Sequence, residues 1–149
     1  MPTTTSTIDL EIARAPGEVF AALTHLGTLP EQIGASATYR GTVAVSDDPV
    51  RTGSTYVDRT PIGRLLGEVV ELEADRRIVF HQATPDGRLS IRITYQLEPR
   101  PAGTRVLRIG EITTHGWLAV VHPVVVRSTR GENRRTMASL KASLEAPRT

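Results

Sequence analysis

The chain of 149 residues contains no cysteine. Without thiols it can form no disulfide, no thiolate metal site and no cysteine nucleophile. It also lacks any apolar run near the ~20 residues that are needed to span a bilayer. Residues 1–7 lack the basic end and the apolar stretch of a secretory signal. We therefore expect a cytoplasmic protein with no membrane insertion.

Aromatic residues and lysine are scarce. Six aromatic side chains are too few to stack the bases of a single-stranded nucleic acid. Lys141 is the only lysine, and the other 17 basic residues are arginines interspersed with 16 acidic residues. The densest basic cluster comprises Arg127, Arg130, Arg134 and Arg135. A phosphate-binding surface is one interpretation of it, but we favour a solvated helix face and predict no nucleic-acid partner.

Apolar and polar residues alternate along several segments, as they do in half-buried strands. Residues 88–98 show the clearest alternation, with Leu89, Ile93 and Tyr95 on the apolar side. Clusters of glycine, proline and aspartate separate the segments and predict turns between them. Strands are predicted at 7–13, 39–45, 54–60, 64–73, 77–84, 88–98 and 104–113.

Other segments have helical spacing. Pro16 begins a short helix over about 18–26, and a second helical turn at residues 29–34 makes two short helices after the first strand. A long helix is predicted from about Pro123 to Ala146, where Pro147 ends it. This order predicts one α+β domain over residues 1–149, with residues 1–6 flexible. Its antiparallel sheet of about seven strands has one apolar face, which the long helix covers.

Short motifs along nearly the whole chain resemble, in order, those of one known superfamily. They are APGEVF at 15–20, VRTGSTY at 50–56, GEVVEL at 67–72, RRIVF at 76–80, YQLEP at 95–99, GTRV at 103–106 and LKASLE at 140–145. The superfamily is START/SRPBCC, which has the helix-grip or Bet v1-like fold, and the chain looks closest to its polyketide cyclase/dehydrase-like branch.

The resemblance implies a curved sheet wrapped on the C-terminal helix around an apolar ligand cavity. The matching motifs are turns and core strands rather than a shared catalytic motif, so they do not name the ligand. We expect a small hydrophobic or amphipathic ligand as the partner, a monomer or homodimer, and no cofactor.

Alternation along a strand predicts which polar side chains enter such a cavity together. Tyr56 and Asp58 share one face of their strand, so an inward Tyr56 brings Asp58 inward. A carboxyl group in an apolar pocket has a raised pKa and can act as a general acid or base. In the alternative interpretation Val57 faces inward, and Asp58 is solvated or pairs with Arg59 or Arg64.

Arg108 and Tyr95 are further candidates. Periodicity does not decide whether Arg108 faces inward, whereas the resemblance favours Val106, and with it Arg108, on the inner face. An inward Arg108 could pair with Asp58 or hold an enolate or carboxylate. Tyr95 belongs to the apolar face, where it either packs in the core or offers its hydroxyl to a ligand. The candidate catalytic residues are Asp58, Arg108 and Tyr95. The candidate ligand contacts are Tyr56, Gln82, Ile93, Trp117, Asn133 and Met137.

The four histidines show no metal-ligand spacing with carboxylates, and we predict no metal site. His81 is predicted on the outer face, His25 at a helix end, and His115 and His122 on either side of Trp117. The sequence also has no Gly-x-Ser-x-Gly elbow and no phosphate-binding glycine loop.

Two functions remain open. The first is a cyclase- or dehydratase-like enzyme that assists proton transfer in a polyketide-like substrate. The second is a non-catalytic binder or carrier of a small molecule or lipid. A cavity that contains both Asp58 and Arg108 favours the enzyme, whereas a wholly apolar lining favours the carrier. A partner-binding adaptor is a third, weaker possibility, for which only residues 117–126 could supply an exposed apolar patch.

Overall fold

The computed structural model describes residues 2–34, 39–61 and 63–147. The strands are β1 Thr3–Ile12, β2 Thr42–Val43, β3 Thr55–Thr60, β4 Gly63–Glu73, β5 Arg77–Ala83, β6 Leu89–Arg100 and β7 Gly103–Thr114. The helices are α1 Pro16–Thr24, α2 Leu29–Ile33, α3 Trp117–Val120 and α4 His122–Glu145. No helix of the described ranges is both long and apolar enough to cross a membrane.

All seven strands form one antiparallel sheet in the order β1-β7-β6-β5-β4-β3-β2. Neighbouring strands from β2 to β7 are consecutive in the chain, as the short turns of the sequence predict. Only β1 is out of sequence order, because it pairs with β7 from Thr3 opposite Thr113 to Ile12 opposite Thr104. The predicted α+β fold, with a seven-stranded sheet and a long C-terminal helix, is confirmed.

Three local features differ from the prediction. β1 begins at Thr3, so residues 3–6, which we expected to be flexible, are paired with β7. The strand predicted at 39–45 is only the two-residue β2, because Gly41 and Ala44 have positive φ angles of 113° and 53° that a strand cannot accommodate. After β1 there is one helix of nine residues, α1, and then only the five-residue helical turn α2.

The packed core fills one end of the space between the sheet and α4. Val19 and Leu23 on α1 both pack in this core, because residues four apart share a helix face. From α4 the core takes Met137 and Leu140, and from the sheet it takes Ile12, Val69, Ile78, Leu97 and Val106. The other end of the same space contains a cavity.

Candidate ligand-binding cavity

The cavity has a volume of about 930 Å³, which is within the range of pockets that bind drug-sized molecules. Its walls are the inner face of β3 to β7, α1, α2 and the N-terminal half of α4. Val124, which lines it, is 67% exposed, so the cavity reaches the surface beside α4. The apolar wall residues include Leu23, Leu26, Ile33, Phe80, Leu89, Ile91, Ile93 and Ile112.

Asp58 lies inside this cavity. Tyr56 is buried on the inner face of β3, and Asp58 and Thr60 follow it there by alternation. The Asp58 carboxylate accepts a hydrogen bond from Thr42 Oγ1 at 2.7 Å and another from Gln82 Nε2 at 2.8 Å. In the described part of the chain it makes no salt bridge with Arg59 or Arg64. Burial raises the pKa of Asp58, and the two hydrogen bonds oppose that effect only in part.

Gln82 holds Asp58 and Tyr56 together. Its Nε2 donates at 2.8 Å to Tyr56 Oη as well as to Asp58, so both amide hydrogens are used. Tyr56 Oη is the acceptor in its bond, and its own proton therefore remains available for another acceptor. Burial also raises the pKa of Tyr56, which keeps this hydroxyl protonated.

A short chain of hydroxyl groups continues on the other side of Asp58. The single proton of Thr42 is given to Asp58. Tyr39 Oη must then donate to Thr42 Oγ1, which lies 2.6 Å away, because each hydroxyl has one proton. Burial raises the pKa of Tyr39 to about 12. Thr42 was not selected from the sequence, since its contact with Asp58 depends on the register of the two-residue strand β2 against β3.

Arg108 occupies a different region of the cavity. It is only 6% exposed, on the same inward face of β7 as Val106 and Gly110. Its Nε donates to Tyr95 Oη at 3.2 Å, and its guanidinium carbon lies 5.7 Å from the centroid of the Tyr95 ring. Over the residues that the structure describes, no carboxylate, including that of Asp58, forms a salt bridge with it.

Three aromatic rings separate the two polar groups. Phe80 packs edge-on against Tyr56, with ring centroids 5.9 Å apart, and edge-on against Tyr95, with centroids 6.1 Å apart. Edge-to-face packing of this kind favours fixed ring orientations. The cavity therefore has an acidic region at Asp58, a cationic region at Arg108, and an aromatic surface between them.

Not all predicted ligand contacts line the cavity. Gln82, Ile93, Asn133 and Tyr56 do. Met137 is 1% exposed and packs in the core instead, because it lies on the core-facing side of α4. Trp117 is 60% exposed and packs against the guanidinium of Arg88, whose carbon is 5.9 Å from the ring centroid.

The histidines are outside the cavity wall. His122 is buried between two hydroxyl groups, with Thr4 Oγ1 at 2.7 Å from Nε2 and Thr114 Oγ1 at 2.7 Å from Nδ1. His81 is exposed on the outer face of β5, where alternation predicts it. Among the described residues no three histidine or acidic side chains are grouped so that they could hold a metal ion.

The model of one protein family, described as polyketide cyclase/dehydrase and lipid transport, matches residues 1–145. The chain belongs to this family. The resemblance that the sequence motifs indicate is thereby confirmed. No curated protein is significantly similar to the chain in sequence.

Several solved structures have the same fold as this member of the polyketide cyclase/dehydrase and lipid transport family. Truncated norcoclaurine synthase from Thalictrum flavum has a TM-score of 0.74 at 10% identity, with 99% of this chain and 96% of that chain covered. A Mesorhizobium loti protein has a TM-score of 0.74 at 16% identity over 98% of this chain and 100% of its own. A Rhizobium loti protein is 26% identical over 93% and 98% of the two chains, with a TM-score of 0.62. The family fold is thus shared by proteins of very different sequence.

Proposed function

We propose that this family member binds an apolar or amphipathic small molecule in its cavity and acts on it as a cyclase- or dehydratase-like enzyme, with Asp58 as the proton-transferring group. One observation carries the proposal. The Asp58 carboxyl group lies in a largely apolar cavity, without a cationic partner in the described chain, and two donors fix its position.

Asp58 is suited to both directions of proton transfer. Because its pKa is raised, the populations of its protonated and ionised forms are more nearly equal at neutral pH than those of an exposed aspartate. As a carboxylate it can remove a proton from a carbon next to a carbonyl group. As an acid it can give a proton to a hydroxyl group that leaves as water. The hydrogen bonds from Thr42 and Gln82 hold the carboxyl in one orientation during both steps.

Arg108 and Tyr95 complete the proposed chemistry. A cyclase or dehydratase must also hold its substrate so that the reacting carbon meets Asp58. A fixed guanidinium in a cavity that excludes much of the water binds an oxygen of the substrate more strongly than it would in solution. Tyr95 accepts the hydrogen bond from Arg108 Nε and keeps its own hydroxyl proton to donate. Because three aromatic rings lie between Arg108 and Asp58, we assign Arg108 and Tyr95 to a substrate oxygen that is remote from the carbon at which the proton moves.

A carrier function is the second candidate. The largely apolar wall of the cavity favours it, because shape and a few hydrogen bonds are enough to retain a lipid-like molecule. The family description includes lipid transport as well as cyclases. A carrier has no need, however, for an acidic group without a neutralising cation, since such a group makes apolar ligands bind less tightly.

The test uses a synthetic aryl β-hydroxyketone, whose dehydration gives a conjugated enone that absorbs in the near ultraviolet. We expect the wild-type protein to accelerate the loss of water and Asp58→Asn to lower the rate by about 10²- to 10⁴-fold. Binding of the neutral dye Nile red, measured by fluorescence, should persist in this variant because the substitution preserves shape. Asp75→Asn, at an exposed turn outside the cavity, is the matched control and should keep the wild-type rate.

The outcomes separate the candidates. A rate that is equal in wild type and Asp58→Asn would remove Asp58 from the mechanism. Nile red binding without turnover by the wild-type protein would favour the carrier. Extraction of the gently purified protein and mass spectrometry of any retained molecule would then identify its natural ligand.

A further inference from the structure

The guanidinium group of Arg108 is buried, and no acidic side chain of residues 2–34, 39–61 and 63–147 forms a salt bridge with it. Its Nε is used by Tyr95, but its two Nη atoms make no hydrogen bond with the part of the chain that the structure describes. The acidic side chains that line the same cavity are engaged elsewhere. Asp86 accepts hydrogen bonds from Thr84 Oγ1 and from the backbone N–H of Arg88. Asp58 is bound by Thr42 and Gln82, and Glu132, on the α4 wall, pairs with Arg135 at 2.6 Å.

Burying a cation without a counter-charge is costly, so a side chain in this state calls for an anion or for water. The group lines the cavity, and its free Nη atoms are available to a ligand there. A guanidinium presents parallel N–H donors whose spacing matches the two oxygens of a carboxylate. A carboxylate is thus the ligand group that best complements Arg108.

A second donor converges on the same place. Gly110 lies two residues along β7 from Arg108 and has no side chain to fill the cavity. A Cβ atom at Gly110 would lie 3.5 Å from Arg108 Nη1 and 3.9 Å from Asn133 Nδ2. The cavity beside Gly110 is therefore bordered by an N–H donor from β7 and another from α4, and the Ser6 carbonyl oxygen on β1 lies 4.0 Å from the same Cβ position.

We propose that the cavity is selective for an anionic ligand: an amphipathic carboxylic acid whose carboxylate binds Arg108 and Asn133 above Gly110. The apolar body of the ligand then runs over Tyr95, Phe80 and Tyr56 toward Asp58. This inference rests on the proposed binding function and adds the chemical class of the ligand and its direction in the cavity.

The direction of binding has a chemical consequence. The carboxylate end is held beside Tyr95, and the aromatic centroids are spaced by 6.1 and 5.9 Å on the way to Tyr56. The atoms that meet Asp58 are thus several carbons away from the carboxylate. Arg108 would then act as the group that positions the substrate, while the proton moves at the opposite end of the cavity.

The test is displacement of bound Nile red from the full-length protein at neutral pH by three molecules of equal chain length. Decanoate carries the carboxylate, whereas decanamide and decanol are its neutral counterparts. We expect decanoate to bind wild type about 10-fold or more tightly than decanamide, as charge-assisted hydrogen bonds to a buried cation predict. Arg108→Met should abolish this preference and retain the binding of Nile red and decanol.

Two further variants keep the test decisive if Arg108→Met fails to fold. Gly110→Ala places a methyl group between Arg108 and Asn133 and should weaken decanoate more than decanol. Arg92→Met removes an exposed arginine that faces Glu111 at 3.9 Å and should leave the preference unchanged.

The inference and the proposed function fail in different ways. If Nile red binds and decanoate competes no better than decanamide, the anionic selectivity is overturned while ligand binding stands. A preference for decanoate that survives in both Arg108→Met and Gly110→Ala would also overturn it, because the carboxylate would then be bound elsewhere. If none of the four probes binds wild type, the proposed binding function is overturned and the inference with it.

Discussion

Gly67 is opposite Tyr56 on β3 and opposite Gln82 on β5. A Cβ atom at Gly67 would overlap Cζ of Tyr56, far inside van der Waals contact. Because Gly67 has no side chain, the Tyr56 ring lies across β4 and its hydroxyl group reaches Gln82. A single missing methyl group thus permits the hydrogen bonds that orient Asp58.

Gly67→Ala is therefore expected to displace the Tyr56 ring and break its bond with Gln82. We expect the free energy of unfolding to fall by about 1–3 kcal/mol, the usual cost of forcing an extra methyl group into a packed site. Urea denaturation measures this change. Gly131→Ala on α4 is the matched control. Its Cβ atom would meet nothing within 4 Å, and alanine in a helix should raise stability by about 0.5–1 kcal/mol. Equal stabilities for the two variants would contradict this account of Gly67.

Helix α4 has different roles along its length. Its C-terminal half packs in the core through Met137 and Leu140. Its N-terminal half borders the cavity with residues of mixed polarity, among them Thr129, Asn133 and Thr136. The two environments meet at Thr136, which borders the cavity, and Met137, which packs in the core. These neighbours differ because successive side chains of a helix point in directions about 100° apart.

Adjacent substitutions on α4 should have unequal effects on stability. Met137→Ala leaves a void in the core and should lower the free energy of unfolding by about 2–5 kcal/mol. Thr136→Ala removes atoms that already face open space, and the alanine has the higher helix propensity, so a change below about 1 kcal/mol is expected. Urea denaturation of both variants is the measurement. Losses of similar size would mean that the core extends to residue 136 and that this part of the cavity is filled.

At the scale of the whole molecule, the ion pairs on the outside of the sheet lie on the opposite face from Asp58 and Arg108, the charged groups inside the cavity. Salt bridges such as Arg105–Asp9 at 2.6 Å lie on the outside of the sheet, where they contribute little to stability. The hydrogen bond with Arg105 lowers the pKa of Asp9. Asp58, in the cavity, has its pKa raised by burial. The two groups thus make the stability of the fold depend on pH in opposite directions.

The sign of the Asp58 effect can be measured. A raised pKa means that the folded state binds the proton more tightly than the unfolded state. Asp58 therefore favours folding most below its ordinary pKa, and this contribution is lost as pH rises through the raised pKa. Relative to Asp58→Asn, wild type should lose stability as the pH rises from the ordinary aspartate pKa, about 4, through neutrality. Urea denaturation of both proteins across this range provides the test, and parallel curves would mean that the pKa of Asp58 is not raised. Surface carboxylates such as Asp9 act in the opposite sense, and both proteins share them.

The extent to which sequence predicts this molecule depends on how local each feature is. Strand β6 and helix α4 have strong periodicity, and their positions follow from it. The periodicity of β3 does not show whether Asp58 faces the cavity, because each face of this strand carries a residue with an apolar body, Tyr56 on one and Val57 on the other. Thr42 was missed for a related reason, since only the pairing of β2 with β3 brings it to Asp58.

The same limit applies to the apolar residues. Met137 and Trp117 were predicted as ligand contacts, and the structure places them in the core and on the surface. An apolar stripe on α4 predicts that the helix covers the sheet. It does not tell which part of that stripe meets packed side chains and which part meets the cavity, because both environments select apolar residues.

The pairing of β1 with β7 determines the order in which the chain can assemble. Each hairpin from β3 to β7 joins strands that are close in sequence, so it can form as soon as its own residues are present. β1, in contrast, has its partner as far as 110 residues away, where Thr3 meets Thr113, and closing so long a loop costs more entropy. During synthesis β1 therefore remains without its partner until β7 has emerged from the ribosome. The first strand of the chain is thus the last to join the sheet.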